Sequence, residues 1–264
     1  MGDYMKLEVG DLVTRYSHNH DLVFVITKIE DNLCYLKGVN IRLYADSPSS
    51  DLKKYEKKVD KEEAKFLERI DKSIALERDD YFYLPGKILH IDSDDDYLNR
   101  CLDYYKKNNI WAFGVKMSED EVASSIKSLL DEYNPSIIVI TGHDAYYQKK
   151  GRKDDLKAYK NSSNFAEAIR EARKIEKSHD KLIIISGACQ SNYEELIRAG
   201  ANFASSPKRI NIHALDPAII ATRMSLSDVG KDIDLKGILE NTKYGKDGVG
   251  GVLTKGTMYI GYPR

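Results

Sequence analysis

The chain of 264 residues is poor in the features that mark several classes of protein. It has three cysteines, Cys34, Cys101 and Cys189, with no C-x-x-C spacing, so nothing indicates a disulfide framework or a zinc site. No apolar run approaches the length of a membrane span, and the first residues lack a secretory-signal profile. With 41 basic and 42 acidic residues the formal charge is −1, which favours neither nucleic acid nor an anionic membrane. We therefore expect a cytoplasmic protein for which no metal or organic cofactor is implied.

The amino-terminal part of the sequence divides into a β-rich segment and a charged segment. Short apolar runs separated by turn residues fill residues 5–46, and Asp31-Asn32 marks one of the turns. We predict a small SH3-like β-barrel over residues 1–50. Residues 51–83 are dense in Lys, Asp and Glu and carry apolar residues at helical spacing, so we predict an exposed linker helix there.

Strand-like and helix-like segments alternate from Gly86 onwards. This alternation predicts a doubly wound, largely parallel sheet with right-handed crossovers, and it assigns residues 84–264 to one α/β domain. We also predict a helix over Tyr193 to Ala199 ended by Gly200, strands over 201–204 and 209–213, a helix from Asp216, and a Gly-turned hairpin over 248–262.

Two predicted strands of this sheet end in small residues that are followed by a reactive one. Ile137 to Thr141 is followed by Gly142 and His143, and Leu182 to Ser186 is followed by Gly187, Ala188 and Cys189. Ligands of open α/β sheets bind beyond the carboxyl ends of the strands. The separation of 46 residues (189 − 143) leaves room for one loop and one crossover helix, so the two strands can be neighbours. We therefore expect a thiol–imidazole pair at one edge of the sheet.

This pair has the chemistry of a cysteine peptidase. A thiolate attacks an amide carbonyl, and an imidazole can generate the thiolate and later protonate the leaving amine. We predict Cys189 as the nucleophile and His143 as the general acid–base. The N–H of Cys189 and an N–H just beyond His143 are the expected donors to the oxyanion. Either residue alone is more simply explained as a buried structural side chain, so the prediction depends on their juxtaposition.

Two other functions stay open on the sequence. Clustered carboxylates at Asp92 and at Asp94 to Asp96 can hold Mg²⁺ for phosphoryl transfer, although Asp before a helix more often caps its N-terminus. Alternatively the chain is a non-catalytic assembly adaptor in which Cys189 is merely buried. EDTA would abolish activity in the first case, and slow alkylation by iodoacetamide would indicate the second.

Several segments resemble a known family of peptidases. They are Val9 to Val13, Thr141 to Asp144, Ser186 to Ser191, Gly200 to Pro207 and Ile212 to Pro217. The strand–His and strand–Ala-Cys pattern is similar to the caspase, gingipain and clostripain superfamily, and nearly the whole chain looks like the YabG family of sporulation-specific peptidases. The resemblance implies a caspase-like fold and a peptidase of the mother-cell cytoplasm that trims spore-coat, cortex and germination proteins next to basic residues. Because the predicted exposed linker is dense in Lys and Arg, the segment between Lys57 and Arg78 is a candidate for self-cleavage by an enzyme that prefers basic residues.

At one position the sequence departs from that superfamily, which has Gly directly after its histidine. Here Asp144 follows His143, so the second oxyanion donor is expected at the Asp144 N–H, unless Asp144 orients His143 or faces the substrate. A preference for Arg or Lys requires a carboxylate in the primary pocket. Asp216, after a predicted strand at the same edge, is the candidate, with Asp144, Asp154 and Asp155 as competitors.

Overall fold

The computed structural model describes residues 7–55, 61–72 and 81–263. The chain forms two compact units, Met1–Lys65 and Phe66–Arg264. Within the predicted linker the helix α1 (Lys61–Lys72) is described, whereas Lys57 and Arg78 lie outside the described residues. Within the described ranges, no helix is both long enough and apolar enough to cross a membrane.

The smaller unit contains one antiparallel sheet of five strands. The strands are β1 (Leu12–Arg15), β2 (Phe24–Glu30), β3 (Leu33–Gly38), β4 (Tyr44–Pro48) and β5 (Leu52–Lys54). They lie in the order β4-β3-β2-β1-β5, and Val13, Phe24 and Leu36 belong to their buried core. Asp31, in the turn between β2 and β3, has a left-handed φ of 51°. An antiparallel β unit at this end of the chain is therefore confirmed, and the finer SH3-like topology stays a prediction.

A carboxylate in this unit is expected to titrate at unusually low pH. Asp51 accepts hydrogen bonds from the Ser17 hydroxyl (2.7 Å), the Ser47 hydroxyl (2.7 Å) and the Ser17 N–H (2.8 Å). These bonds lower the pKa of Asp51 from 3.8 to about 2, with the Ser17 hydroxyl as the largest cause. Because the folded pKa is depressed, the stabilisation is present above the ordinary pKa and is lost as pH falls through about 2. An NMR titration of the Asp51 carboxyl carbon measures this midpoint, and Ser17→Ala should raise it. An ordinary midpoint in the native protein would contradict the assignment.

The larger unit alternates strands and helices along most of its length. Its strands are β6 (Phe82–Leu84), β7 (Ile88–Asp92), β8 (Ala112–Lys116), β9 (Ile137–Thr141), β10 (Ile183–Ser186), β11 (Phe203–Ser205), β12 (Val249–Gly251) and β13 (Tyr259–Gly261). Its further helices are α2 (Asp95–Lys107), α3 (Val122–Tyr133), α4 (Ser162–Ile175), α5 (Tyr193–Ala199), α6 (Asp216–Ser225) and α7 (Leu235–Glu240).

Six of these strands form one sheet in the order β12-β11-β10-β9-β7-β8. All neighbours pair in parallel except β11 and β12. Ile137 and Val139 face a core shared with α2, α6 and α7, whereas Ile138 and Ile140 face a core shared with α3, α4 and α5. Strands buried on both faces explain the continuous apolar runs in the sequence. The predicted α/β fold with a mostly parallel sheet is therefore confirmed.

The strand order reverses beside β7. The strand that follows β7 in the chain, β8, lies on one side of it, and β9 lies on the other side. The crossovers that leave these strands therefore diverge at the carboxyl end of the sheet, between β7 and β9. In open α/β sheets this switch point is where ligands bind.

Two predictions near the end of the chain are wrong. Residues 209–213 form no strand, and Arg209 has a left-handed φ of 58° that breaks an extended run. The tail is not a hairpin, because β12 pairs with β11 and β13 pairs with β6 in a separate two-stranded sheet. By contrast, α5 ends before Gly200, whose φ is 116°, and α6 begins at Asp216, as predicted.

Candidate active site

The carboxyl ends of β7, β9 and β10 meet at one edge of the sheet. Asp92 at the end of β7 pairs with Thr141 at the end of β9, and Ile140 of β9 pairs with Ser186 of β10. His143 lies three residues beyond Ile140, and Cys189 lies three residues beyond Ser186 (143 − 140 and 189 − 186). The register therefore brings the loops that carry the two predicted residues to the same edge, next to the switch point.

A tight turn carries Cys189 out of the sheet. Gly187 has a φ of 104°, and a Cβ at this position would lie 2.8 Å from the Leu196 side chain, so the chain bends there only with glycine. The Ser191 N–H then donates to the Ala188 carbonyl (3.4 Å), which closes a turn around Cys189 and Gln190. The nucleophile candidate thus sits at a corner of the backbone rather than within an extended segment.

Hydrogen bonds hold Gln190 in a conformation that is rare for a residue with a side chain. Its φ is 60°, and its N–H donates to the Ile210 carbonyl (3.1 Å). Its side-chain oxygen accepts from the Tyr146 N–H (3.3 Å), and its amide nitrogen donates to Asn211 (3.1 Å). These bonds offset the cost of the left-handed backbone and fasten the turn to the loops after β9 and β11.

The sulfur of Cys189 is fully buried and lies against the backbone of Ile212. The Ile212 N–H donates to Sγ at 3.3 Å, and the Ile212 carbonyl is 3.8 Å from the same sulfur. An N–H that points at a thiol stabilises the thiolate form, which is the nucleophilic one. The backbone of Ile212, and not its side chain, therefore supplies the contacts of this sulfur.

The imidazole of His143 faces a carboxylate from the neighbouring strand end. His143 Nε2 lies 3.3 Å from Asp94 Oδ2, and both side chains are buried. The other oxygen of Asp94 accepts the N–H groups of Asp96 (3.0 Å) and Tyr97 (3.2 Å) at the start of α2. The expectation that a residue of this acidic cluster caps the helix is confirmed. One carboxylate thus both caps α2 and orients the imidazole.

The backbone of His143 is held by a residue that the sequence did not single out. Glu119, between β8 and α3, accepts the His143 N–H (2.7 Å) and the Ser93 hydroxyl (2.7 Å) with one oxygen. A Cβ on Gly142 would lie 2.4 Å from that oxygen, so a larger residue here would displace the Glu119 carboxylate from this position. Glu119 belongs to no recognisable motif, and only the pairing of β7 with β8 and β9 brings it here.

The carboxylate of Asp144 is buried in a set of hydrogen bonds. It accepts from the N–H groups of Ala145 (2.9 Å) and Asn161 (2.8 Å) and from the hydroxyls of Ser191 (2.9 Å) and Ser162. Burial raises the pKa of Asp144, and the hydrogen bonds, that from Ser162 foremost, oppose this shift. Among the described residues, the carboxylate of Asp144 has no hydrogen bond to the His143 ring. The backbone N–H of Asp144 donates to no acceptor in the same part of the chain.

Asp216, the candidate for the substrate pocket, is fully buried at the start of α6. Its two oxygens accept the N–H groups of His213 (2.9 Å) and Lys243 (2.8 Å). These contacts describe a residue that fixes a helix start, and they add no support for a role in binding substrate. Within the described ranges, no three His, Cys, Asp or Glu side chains come together as ligands for a metal ion.

Comparison with known proteins defines the class of the chain. A family model for peptidases matches residues 8–263, which is nearly the whole sequence and includes every residue of the site. The chain belongs to the YabG peptidase U57 family, as the resemblance implied. It is 42% identical to the sporulation-specific protease YabG of Bacillus subtilis (strain 168), in an alignment that covers 98% of this chain and 99% of the relative.

Proposed function

We propose that the chain is a cysteine endopeptidase in which Cys189 is the nucleophile and His143 the general acid–base. The proposal depends on one observation about the register of β9 and β10. Ile140 and Ser186 are paired on these adjacent parallel strands, and His143 and Cys189 each lie three residues further along the chain. The switch point of the sheet lies at the same edge, which is where open α/β sheets bind ligands. Membership of a peptidase family supports the reaction class.

The proposed reaction has two halves. In the first, the Cys189 sulfur forms a bond to the scissile carbonyl carbon, and His143 accepts the thiol proton. The carbon–nitrogen bond then breaks, His143 gives its proton to the leaving amine, and a thioester remains on Cys189. In the second half water attacks the thioester with His143 as base, which releases the acid product and restores the thiol.

The contacts of His143 suggest a role for each ring nitrogen. Nε2 faces the Asp94 carboxylate, which accepts an N–H and holds the ring in one tautomer. Nδ1, which is buried, is then the nitrogen that exchanges a proton with the thiol. Asp94 is a positioning residue in this scheme, because it acts on the reaction through His143.

Two backbone groups are proposed as donors to the oxyanion. The Asp144 N–H donates to no acceptor among the described residues, and it lies directly after His143. The Cys189 N–H belongs to the corner residue of its turn. Donors of this kind stabilise the negative charge that develops on the carbonyl oxygen. The side chain of Asp144 does not prevent this, because its carboxylate is directed to Ser162 and Ser191.

The proposed biological role is based on the similarity to the sporulation-specific protease. We propose a role in sporulation, with spore-coat, cortex and germination proteins as substrates and the mother-cell cytoplasm as the site of action. A preference for cleavage next to Arg or Lys is a further proposal drawn from the resemblance. Self-cleavage between Lys57 and Arg78 is proposed from the density of basic residues in that segment. The caspase-like arrangement of the larger unit belongs with them.

Inhibitor class gives the first test of the proposed function. Iodoacetamide should abolish cleavage of a peptide with a single Arg, because alkylation removes the nucleophilic sulfur, whereas EDTA should leave the rate unchanged. The measurement is the initial rate after each treatment, with alkylated cysteines located by peptide mapping. Loss of activity in EDTA would favour the Mg²⁺ alternative, and a purified protein that cleaves nothing and alkylates slowly would favour the adaptor.

A further inference from the structure

Two loops of the candidate site are joined by one buried carboxylate. Asp144 follows His143 in the loop after β9, and its Oδ2 accepts the Ser191 hydroxyl from the loop after β10 at 2.9 Å. The same oxygen accepts the hydroxyl of Ser162, the first residue of α4. Ser191 and Ser162 have no exposed surface. The loops of the proposed base and nucleophile are therefore connected by a direct hydrogen bond between Asp144 and Ser191.

Each of these serine hydroxyls also accepts a hydrogen bond from a backbone N–H of the Cys189 loop. The Ser191 oxygen accepts the Ala188 N–H at 2.9 Å, and the Ser162 oxygen accepts the Asn192 N–H at 2.8 Å. Ala188 and Asn192 lie on either side of Cys189. Both ends of the turn that carries the sulfur are thus tied, through one hydroxyl each, to Asp144.

The chemistry of these bonds makes the connection stiff. Hydrogen bonds from hydroxyls to a carboxylate are shorter and stronger than those between neutral groups, and burial strengthens them further because water does not compete. The two remaining donors, the N–H groups of Asn161 and Ala145, fix the other oxygen of Asp144. The carboxylate cannot swing away from one loop without breaking bonds to the other.

We propose that Asp144 and Ser191 are positioning residues that hold the turn of Cys189 at a set separation from His143. The proposal rests on the proposed function, since it assigns a role relative to that pair. Displacement of a reacting group by about 1 Å can cost about 100-fold in rate, so a tether between the two loops matters for turnover. The tether acts on the separation of the two reacting groups, so its loss should lower kcat more than it changes KM.

Ser191→Ala tests the proposal in the full-length protein. We expect kcat on an Arg peptide to fall about 10- to 100-fold with KM changed by less than about twofold. The alkylation rate of Cys189 by iodoacetamide should also fall at neutral pH, with its pH profile moved to more alkaline values. Both follow because the turn that carries the thiol is no longer tied to the loop of its proposed base.

Ser225→Ala is the matched control. Ser225 is also fully buried and makes one side-chain hydrogen bond, to the Gly86 carbonyl (2.7 Å), outside the candidate site. Its removal should leave kcat and the alkylation profile unchanged. If Ser191→Ala unfolds, Ser162→Ala removes the second hydroxyl from the same oxygen and should change kcat and the profile in the same direction. A folded Ser191→Ala or Ser162→Ala enzyme with native kcat and a native profile overturns the proposal.

The same data separate this proposal from the proposed function. If the native enzyme stays active after complete alkylation of Cys189, the cysteine mechanism fails whatever the serine variants do. If alkylation abolishes activity while Ser191→Ala behaves like the native enzyme, the mechanism stands and only the positioning role fails.

Discussion

Replacement of Cys189 by alanine is expected to lower kcat/KM on a basic peptide by about 10⁴-fold or more, down to the background of the assay. The loss should be this large because the proposed covalent intermediate forms on the Cys189 sulfur, and alanine has no nucleophilic atom. The substrate should be a peptide set that varies the residue before the cut, so that the same assay measures the proposed preference for Arg and Lys. Intact mass of the purified protein adds a second measurement, since self-cleavage should stop in the variant.

Cys34→Ala is the control for this substitution. Cys34 is also fully buried, but it lies on β3 in the smaller unit, and burial raises the pKa of its thiol. Activity should survive its replacement. If Cys189→Ala cleaves as fast as the native enzyme, Cys189 is not the nucleophile. Equal inactivity of the native enzyme and the variant on every peptide would count against the peptidase proposal.

The sequence predicts the strands of the larger unit better than it predicts their order. Runs such as Ile137 to Thr141 are recognisable because a strand buried on both faces needs apolar residues throughout. No local pattern tells on which side of β7 the next strand will lie, because a right-handed crossover can run in either direction along the sheet. The tail shows the same limit: Val249–Gly251 and Tyr259–Gly261 are strands, but they pair with β11 and β6, which are distant in the sequence, rather than with each other.

In the candidate site too, some residues are predictable from local sequence and others depend on the strand order. The sequence predicts His143 and Cys189 because each lies within three residues of the end of a recognisable strand. Asp94 was noticed only as a possible cap or cation ligand, and Glu119 not at all, because their approach to His143 depends on β7 lying between β8 and β9. The contacts of Asp144 depend likewise on the adjacency of two loops. Side chains at strand ends are predictable, whereas their partners require the strand order.

Replacement of His143 by alanine is expected to lower kcat/KM by about 10²- to 10⁴-fold while the protein stays folded. The imidazole is the proposed acceptor of the thiol proton and the proposed donor to the leaving amine, and alanine can do neither. Alkylation of Cys189 should therefore be slow at neutral pH and should accelerate only above about pH 8, where an unassisted thiol ionises. His179→Ala is the control, since His179 precedes β10 at the opposite end of the strand.

Asp94→Asn extends this test to the orientation of the ring. Asparagine can keep the cap of α2 with its oxygen, so its amide nitrogen would face His143 Nε2 and donate to it. This reverses the tautomer and puts the ring proton on Nδ1, which can then no longer accept the thiol proton. Activity should therefore fall well below the native level although His143 is present, and the melting temperature should stay near that of the native protein.

A His143→Ala enzyme with native kcat/KM and a native alkylation profile would show that another group is the base. Unchanged activity in Asp94→Asn alone would remove only the role of Asp94.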